Sequence, residues 1–290
     1  MIPGNSSPRT LHWRINCFCN RRCSFCYGPE GKHELPLDEA MPAVERFIEY
    51  GIETFVLTGG EPLLSKKVDN LIEFLSLRGR KVVIYTNCDL FDYHEDVIRE
   101  YVDTICVPID GASEYVHDSV RGKNNFRAVL SVLNRYAVPN SPVKVKVGTV
   151  MGRNNAHELR AILYLLDKYK IDVWKIYEFL RYEDRSLQKQ WSDMQLGISN
   201  AEYRVLVQEL VSVQKRKTKI SLSSEYDRGN SYFMMNPDLD ILVPMRNASG
   251  VFEDVIVCNG LDETPDEIER LWREKIDWES YENNLSASNF

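Results

Sequence analysis

The chain has 290 residues, 43% of them apolar and 27% charged, enough for one large α/β barrel or two ordinary globular domains. A formal net charge of −7 argues against nucleic acid as the main partner, and no stretch approaches the roughly 20 continuous apolar residues of a membrane span. The opening MIPGNSSPRT has no apolar core, so neither signal peptide nor anchor is expected, and the odd count of seven cysteines points to a reducing cytoplasm rather than a disulfide framework.

Short apolar runs alternate with amphipathic segments. Strands are predicted over 10–15 (TLHWRI), 54–58 (TFVLT), 81–86 (KVVIYT), 104–109 (TICVPI), 143–151 (VKVKVGTVM) and 173–179 (VWKIYEF). Between them, Asp38 is a candidate cap for a helix carrying Val44, Phe47 and Ile48 and stopped by Gly51. Asn155 with Glu158, and Ser199 with Glu202, have the spacing of capping boxes. Two basic runs, RGRK at 78–81 and QKRKTK at 214–219, sit at predicted helix ends, where the dipole and water accommodate them.

Strands alternating with helices predict a parallel sheet with right-handed crossovers. About six βα units are counted by residue 215, fewer than the eight of a closed barrel. The expected architecture is α/β: an open, partial (β/α)6 TIM-like barrel over 9–218, preceded by a tail of residues 1–8. Residues 219–290 read as an α/β extension covering the barrel's open side. In it, SYFMMNPDLDILVP (231–244) predicts two strands around an Asn-Pro-Asp turn, and Thr264-Pro265 with Glu267 starts a last helix.

Four of the seven cysteines, Cys17, Cys19, Cys23 and Cys26, fall within ten positions after the first strand. The spacing C-x3-C-x2-C of Cys19, Cys23 and Cys26 suits three thiolates gripping one iron–sulfur cluster from a loop. That loop lies at the C-terminal mouth of the barrel, where such folds place their active sites. A zinc knuckle using Cys17 as a fourth ligand, or a set of free thiols, is the competing reading. At the end of the second strand, LTGGEPLL (57–64) offers Gly59 and Gly60 for close backbone approach to a ligand and the Glu61 carboxylate for an ammonium. Alone, that stretch also reads as an ordinary βα turn.

Taken together, these motifs resemble the radical S-adenosylmethionine (radical SAM) superfamily. The resemblance rests on Cys19, Cys23, Cys26 and Phe25, then Gly59-Gly60-Glu61-Pro62, YTN (85–87), IDG (109–111), VRG (120–122), TVMGRNN (149–155) and WKIYEF (174–179). It implies a [4Fe-4S] cluster on the three cysteines and an S-adenosyl-L-methionine (SAM) cofactor cleaved to a 5′-deoxyadenosyl radical that abstracts substrate hydrogen. It further implies that Glu61 and the Gly59–Gly60 backbone hold the methionine ammonium and that Arg121 pairs with the carboxylate. Asn87 and Asp110 would stand near the ribose, and Phe25 and the backbone beside Tyr27 near the adenine. Competing readings make Arg121 a surface helix residue and Asp110-Gly111 a turn. Pro108 stands where many relatives have serine, which weakens the ribose assignment.

The extension holds a single cysteine, Cys258, too few for a second cluster. An external one-electron donor such as flavodoxin or ferredoxin is therefore expected. The barrel looks similar to viperin-like enzymes, which convert a nucleoside triphosphate to its 3′-deoxy-3′,4′-didehydro form, and to small peptide-modifying members. His12 and Thr54 depart from the viperin pattern. Lys146 and Lys175 should point inward from the fifth and sixth strands, favouring an anionic group on a peptide or small-metabolite substrate. A salt bridge to Glu178 or Asp110 is the competing account. Lys146, Lys175, Tyr177 and Glu178 are the candidate catalytic residues. A non-catalytic metal-binding module that retains the barrel is the alternative from another class.

Overall fold

Seven strands run parallel in chain order: β1 (Thr10–Arg14), β2 (Thr54–Thr58), β3 (Lys81–Tyr85), β4 (Thr104–Pro108), β5 (Lys144–Met151), β6 (Val173–Glu178) and β7 (Lys219–Ser223). The computed structural model describes residues 8–28, 31, 33–182, 196–213, 218–229, 231–248 and 250–281. Parts of the expected 1–8 tail and of the 214–219 basic run lie outside these. Three further strands, β8 (Met234–Met235), β9 (Asp240–Arg246) and β10 (Phe252–Asn259), continue the sheet beyond β1. β8 is parallel to β1, while β9 and β10 form an antiparallel hairpin. The ten strands form one sheet whose two edges, β10 and β7, do not pair with each other.

The strands separate their side chains by the period of two. Phe55 and Leu57, Val82 and Ile84, Ile105 and Val107, Val145 and Val147, and Trp174 and Ile176 belong to the outer core, beneath the helices. That cluster also takes Val44 and Phe47 from α1 (Leu37–Tyr50), Leu71, Ile72 and Leu75 from α2 (Val68–Leu77), and Val129, Val132 and Leu133 from α5 (Asn125–Tyr136). Facing the other way, Val56, Val83 and Cys106 form a small inner cluster with Tyr85. The inner face cannot be filled by aliphatics alone, and it carries the polar groups described below.

The helix ends correct two local expectations. α1 begins at Leu37 after Pro36, with no side-chain cap, so Asp38 lies in the first turn, where its charge suits the dipole. Asn155 caps nothing: its side chain donates to the Asp110 and Val150 carbonyls at 3.0 Å each and accepts the Gly152 N–H, while Glu158 accepts the Ala112 N–H. Ser199 does accept the Glu202 N–H at 3.2 Å, ahead of the helix we number α7 (Asn200–Val213). Among the described residues the remaining α-helices are α3 (Phe91–Tyr101), α4 (Glu114–Arg121), α6 (Leu159–Leu166), the short α8 (Glu225–Arg228) and α9 (Pro265–Arg273), the last capped by Thr264 as its sequence predicts.

The extension does more than sit beside the barrel. A lone bridge joins Tyr182, just after β6, to Phe252 at the start of β10, and the Phe252 N–H donates to the Arg181 carbonyl at 2.7 Å. The chain leaving the sixth strand therefore meets the extension across the sheet's open side. Among the described residues no helix is long and apolar enough to cross a membrane.

Candidate active site

The segment after β1 folds back over the turn after β2, and backbone hydrogen bonds hold them together. Gly60 N–H donates to the Asn16 carbonyl at 3.1 Å and Glu61 N–H to the Phe18 carbonyl at 2.8 Å, while the Asn16 side chain donates to the Glu61 carbonyl at 2.9 Å. The approach leaves no space for side chains. A Cβ on Gly60 would lie 2.0 Å from the Phe18 oxygen, and one on Gly59, whose φ is 147°, would lie 2.7 Å from the Asn16 oxygen. The Gly60 N–H is thus committed to Asn16, and the glycine pair serves first to seat the cysteine loop.

Glu61 then organises the next loop. It is 2% exposed, and its carboxylate accepts the Thr86 hydroxyl at 2.7 Å, the Leu63 N–H at 3.2 Å and the Asn87 N–H at 2.7 Å. Burial pushes its pKa up to about 7 despite these bonds. A carboxylate offers about four acceptor positions, so three bonds leave room for a further donor. Asn87 donates from its side chain to Asn20 at 2.7 Å and lies 3.8 Å from the Cys19 sulfur.

Cys19, Cys23 and Cys26 line one cavity of about 300 Å³. Their sulfurs are met by donors: Arg21 N–H to Cys19 at 3.4 Å, Gly28 N–H to Cys26 at 3.3 Å, and Arg121 Nη1 within 4.0 Å of Cys23. Burial pushes the Cys23 thiol up to about 12, with the Arg121 guanidinium opposing. Among the described residues no cysteine, histidine or carboxylate trio closes around a point as a single metal ion requires. A cubane offers its ligands separate iron corners and asks for wider spacing. Three thiols lining one cavity, each with a nearby donor, supply the ligand chemistry that group needs.

Arg121, at the end of α4, ion-pairs through Nε with Asp110, and its guanidinium lies over the Phe25 ring at 4.9 Å. Asp110 is fully enclosed; its other oxygen accepts the Val150 N–H at 2.7 Å, and it is not among the cavity-lining residues. Arg21, itself on the cavity lining, clamps this region by bonding Asp89 and the carbonyls of Arg121 and Gly122.

The inner face of the barrel is electropositive. Lys146 and Lys175 are 3% and 1% exposed, and burial pulls both pKa values down to about 8. Burial, with the charges of Lys146, Lys175 and Arg14, pulls the half-buried His12 down to about 3. The ion pairs of the competing account, from these lysines to Glu178 or Asp110, do not form. Glu178 instead accepts the Asn200 side chain at 2.8 Å and the Glu225 N–H at 2.7 Å, while Asp110 is taken by Arg121 and Val150. Tyr177 and Tyr85 join hydroxyls at 3.2 Å.

Of the residues singled out by sequence, the three cysteines, Phe25, Tyr27, Gly59, Gly60, Glu61, Asn87, Arg121, Lys175 and Tyr177 meet on this cavity, and Asp110, Lys146 and Glu178 do not line it. Sequence reading missed the far wall. Tyr27 stacks on Tyr182 with ring centroids 4.5 Å apart and planes 5° from parallel, and Arg14 ion-pairs with Asp254 of β10. Arg228, Tyr232, Met234 and Pro244 reach the cavity from the extension. The lone signal for these was aromatic and basic residues in a segment with no motif.

The family profile described as Radical SAM superfamily matches residues 13–166, more than half of the chain. An AdoMet-dependent heme synthase of Methanosarcina barkeri is 26% identical over 77% of this chain, which spans 63% of that protein's length. An S-adenosylmethionine-dependent nucleotide dehydratase of Flammeovirga pacifica is 22% identical over 82% of this chain and 83% of its own. Among solved structures, Streptococcus suis SuiB bound to S-adenosylmethionine superposes with a TM-score of 0.71, covering 95% of this chain and 67% of its own at 15% identity. The structure of native anSMEcpe with bound AdoMet and Cp18Cys peptide gives 0.71, covering 94% and 83% at 16% identity. At such identities these likenesses concern the fold.

Proposed function

Because the chain belongs to the radical SAM superfamily, whose enzymes use a [4Fe-4S] cluster and SAM, we propose that Cys19, Cys23 and Cys26 hold that cluster and that the cavity beside them takes SAM and a substrate with an anionic group, a peptide or small metabolite. When bound, the reduced cluster supplies the electron that splits SAM into methionine and a 5′-deoxyadenosyl radical able to take hydrogen from the substrate. The observation carrying this reading is that the cysteine loop, the Gly59–Glu61 segment and Arg121 face one cavity.

The remaining residues have definable roles in this reading. Glu61 keeps one acceptor position for the methionine ammonium. Arg121, steadied by Asp110, presents its remaining N–H donors to the carboxylate. Asn87 stands on the cavity wall within reach of a ribose, and Phe25, held under Arg121, and Tyr27, held by Tyr182, limit the adenine's position. Asp110 is a positioning residue. Glu178 anchors α7 and α8 and so sets the far wall. Lys175 and Tyr177 face the substrate volume, with Lys146 adding charge. An external one-electron donor completes the cycle.

A nucleoside triphosphate is the second reading, favoured by the nucleotide dehydratase relative covered over 83% of its length and by the cationic inner face. His12 and Thr54, which depart from the viperin pattern, weaken it. The test is anaerobic reconstitution followed by SAM and dithionite. Release of 5′-deoxyadenosine is expected, with none from Cys23→Ala; intact SAM under those conditions would refute the proposal. Peptides and nucleoside triphosphates tested side by side, scored by faster release and a changed substrate mass, separate the two readings.

A further inference from the structure

Arg228 ends α8 in the extension, in a segment without any recognisable motif. The residue is 6% exposed, lines the cavity, and holds its guanidinium 5.6 Å from the centre of the Tyr177 ring. Its Nε and Nη2 are enclosed and have no hydrogen-bond partner. The neighbouring acids are engaged elsewhere. Asp227 accepts the N–H and hydroxyl of Ser224, Glu225 pairs with Arg246 at 3.4 Å, and Glu178 takes Asn200 and the Glu225 N–H. Lys175 brings a second cation to the same ring, at 5.2 Å.

An enclosed guanidinium stays charged and carries five N–H donors, so donors left without acceptors on a cavity wall are tolerated where a ligand supplies them. The Nε–Nη2 edge is the side of the fork that matches two oxygens of one carboxylate or phosphate group. We propose that Arg228, with Lys175 beside it, is the specificity-determining residue that holds a carboxylate or phosphate oxyanion of the substrate. This rests on the reading that the cavity holds substrate together with SAM. The α8 capping box and the bond from the Glu225 N–H to Glu178 fix the helix that carries it.

The test is calorimetric titration of reconstituted, SAM-saturated enzyme, without reductant, using pyrophosphate and tricarballylate as probes. One probe is expected to bind with unit stoichiometry, pyrophosphate assigning a phosphate group and tricarballylate a carboxylate. Arg228→Gln should weaken it by roughly tenfold or more through lost charge-assisted bonds, and Arg228→Lys, with charge but no fork, should fall between. The proposal is overturned if neither probe binds, if Arg228→Gln binds as tightly as the wild type, or if that variant loses SAM affinity instead. Should Arg228→Gln fail to fold, a wild-type crystal soaked in selenate gives the answer. A selenium peak against Arg228 supports the assignment, and a peak elsewhere or none refutes it. The titration needs no turnover, so its failure is distinguishable from a failure to release 5′-deoxyadenosine.

Discussion

The carboxylate of Glu61, at the end of β2, accepts the backbone N–H of Asn87, after β3, at 2.7 Å. One buried acid thus joins two loops, and its protonation matters to both. Its pKa when folded, about 7, lies above the ordinary value of 4.5. The folded state therefore binds the proton more tightly than the unfolded state, and stability falls as pH rises through that interval. Ligand-free protein should show declining urea midpoints from about pH 4.5 to about 7, and Glu61→Gln should flatten that slope. SAM affinity should run the opposite way, rising as the carboxylate ionises to meet the ammonium. Equilibrium dialysis over the same interval checks it.

Gly60→Ala tests the seating of the cysteine loop. The added Cβ would fall 2.0 Å from a backbone oxygen and 2.3 Å from a backbone carbon of Phe18, so the main chain has to move. Cys19 follows Phe18 directly. Iron bound per chain after reconstitution should drop well below wild type while the far-UV circular dichroism is kept. An unchanged iron content would show that the loop is seated by something else.

Most of the fold was legible because a parallel sheet buried on both faces writes itself as short apolar runs. The six predicted strands agree with the structure to within one residue at either end. β7 belongs to the same parallel series, pairing with β6, but its sequence KISLS is too weakly apolar to stand out. The cysteines, Gly59–Gly60–Glu61 and Arg121 were legible because each motif is local. Arg14, Tyr182 and Arg228 were not, since each acquires its meaning from a partner or a cavity wall distant in sequence: Asp254, Tyr27 and Tyr177. Asn155 misled for the converse reason. Its spacing to Glu158 copies a capping box, yet the carbonyls of distant Asp110 and of Val150, five residues back, take its side chain.

Arg121→Ala should lower both stability and SAM affinity. Asp110 is fully buried, and removing its cation leaves the charge with the Val150 N–H as its remaining bond. Breaking a buried pair from one side costs about 3 kcal/mol. Arg121→Lys restores the charge without the fork, so it should recover part of the stability and less of the SAM affinity. Denaturant melts paired with SAM binding check the split. Equal recovery of both would argue that charge alone suffices.

Arg14 and Asp254 form the tie between the barrel's first strand and the extension's last, with side chains 5% and 12% exposed. Asp254→Ala leaves the Arg14 charge enclosed near Tyr27 and Tyr182, which both sense it. A loss of about 3 kcal/mol is expected for the same one-sided reason. Because the pair is shielded from solvent, the loss should persist from low to high salt, where an exposed pair's contribution would fade. The consequence reaches the cavity. With Arg14 unsatisfied, the wall bearing Tyr27 and Tyr182 is free to shift, so SAM and oxyanion probes should both bind more weakly. Arg14→Met with Asp254→Leu removes both charges and should regain most of the stability and, with no unsatisfied charge left to move the wall, most of the binding. Urea denaturation and calorimetry on the single and double variants measure the two effects. Stability restored without binding would mean that the pair contributes something to the site beyond holding the wall in place.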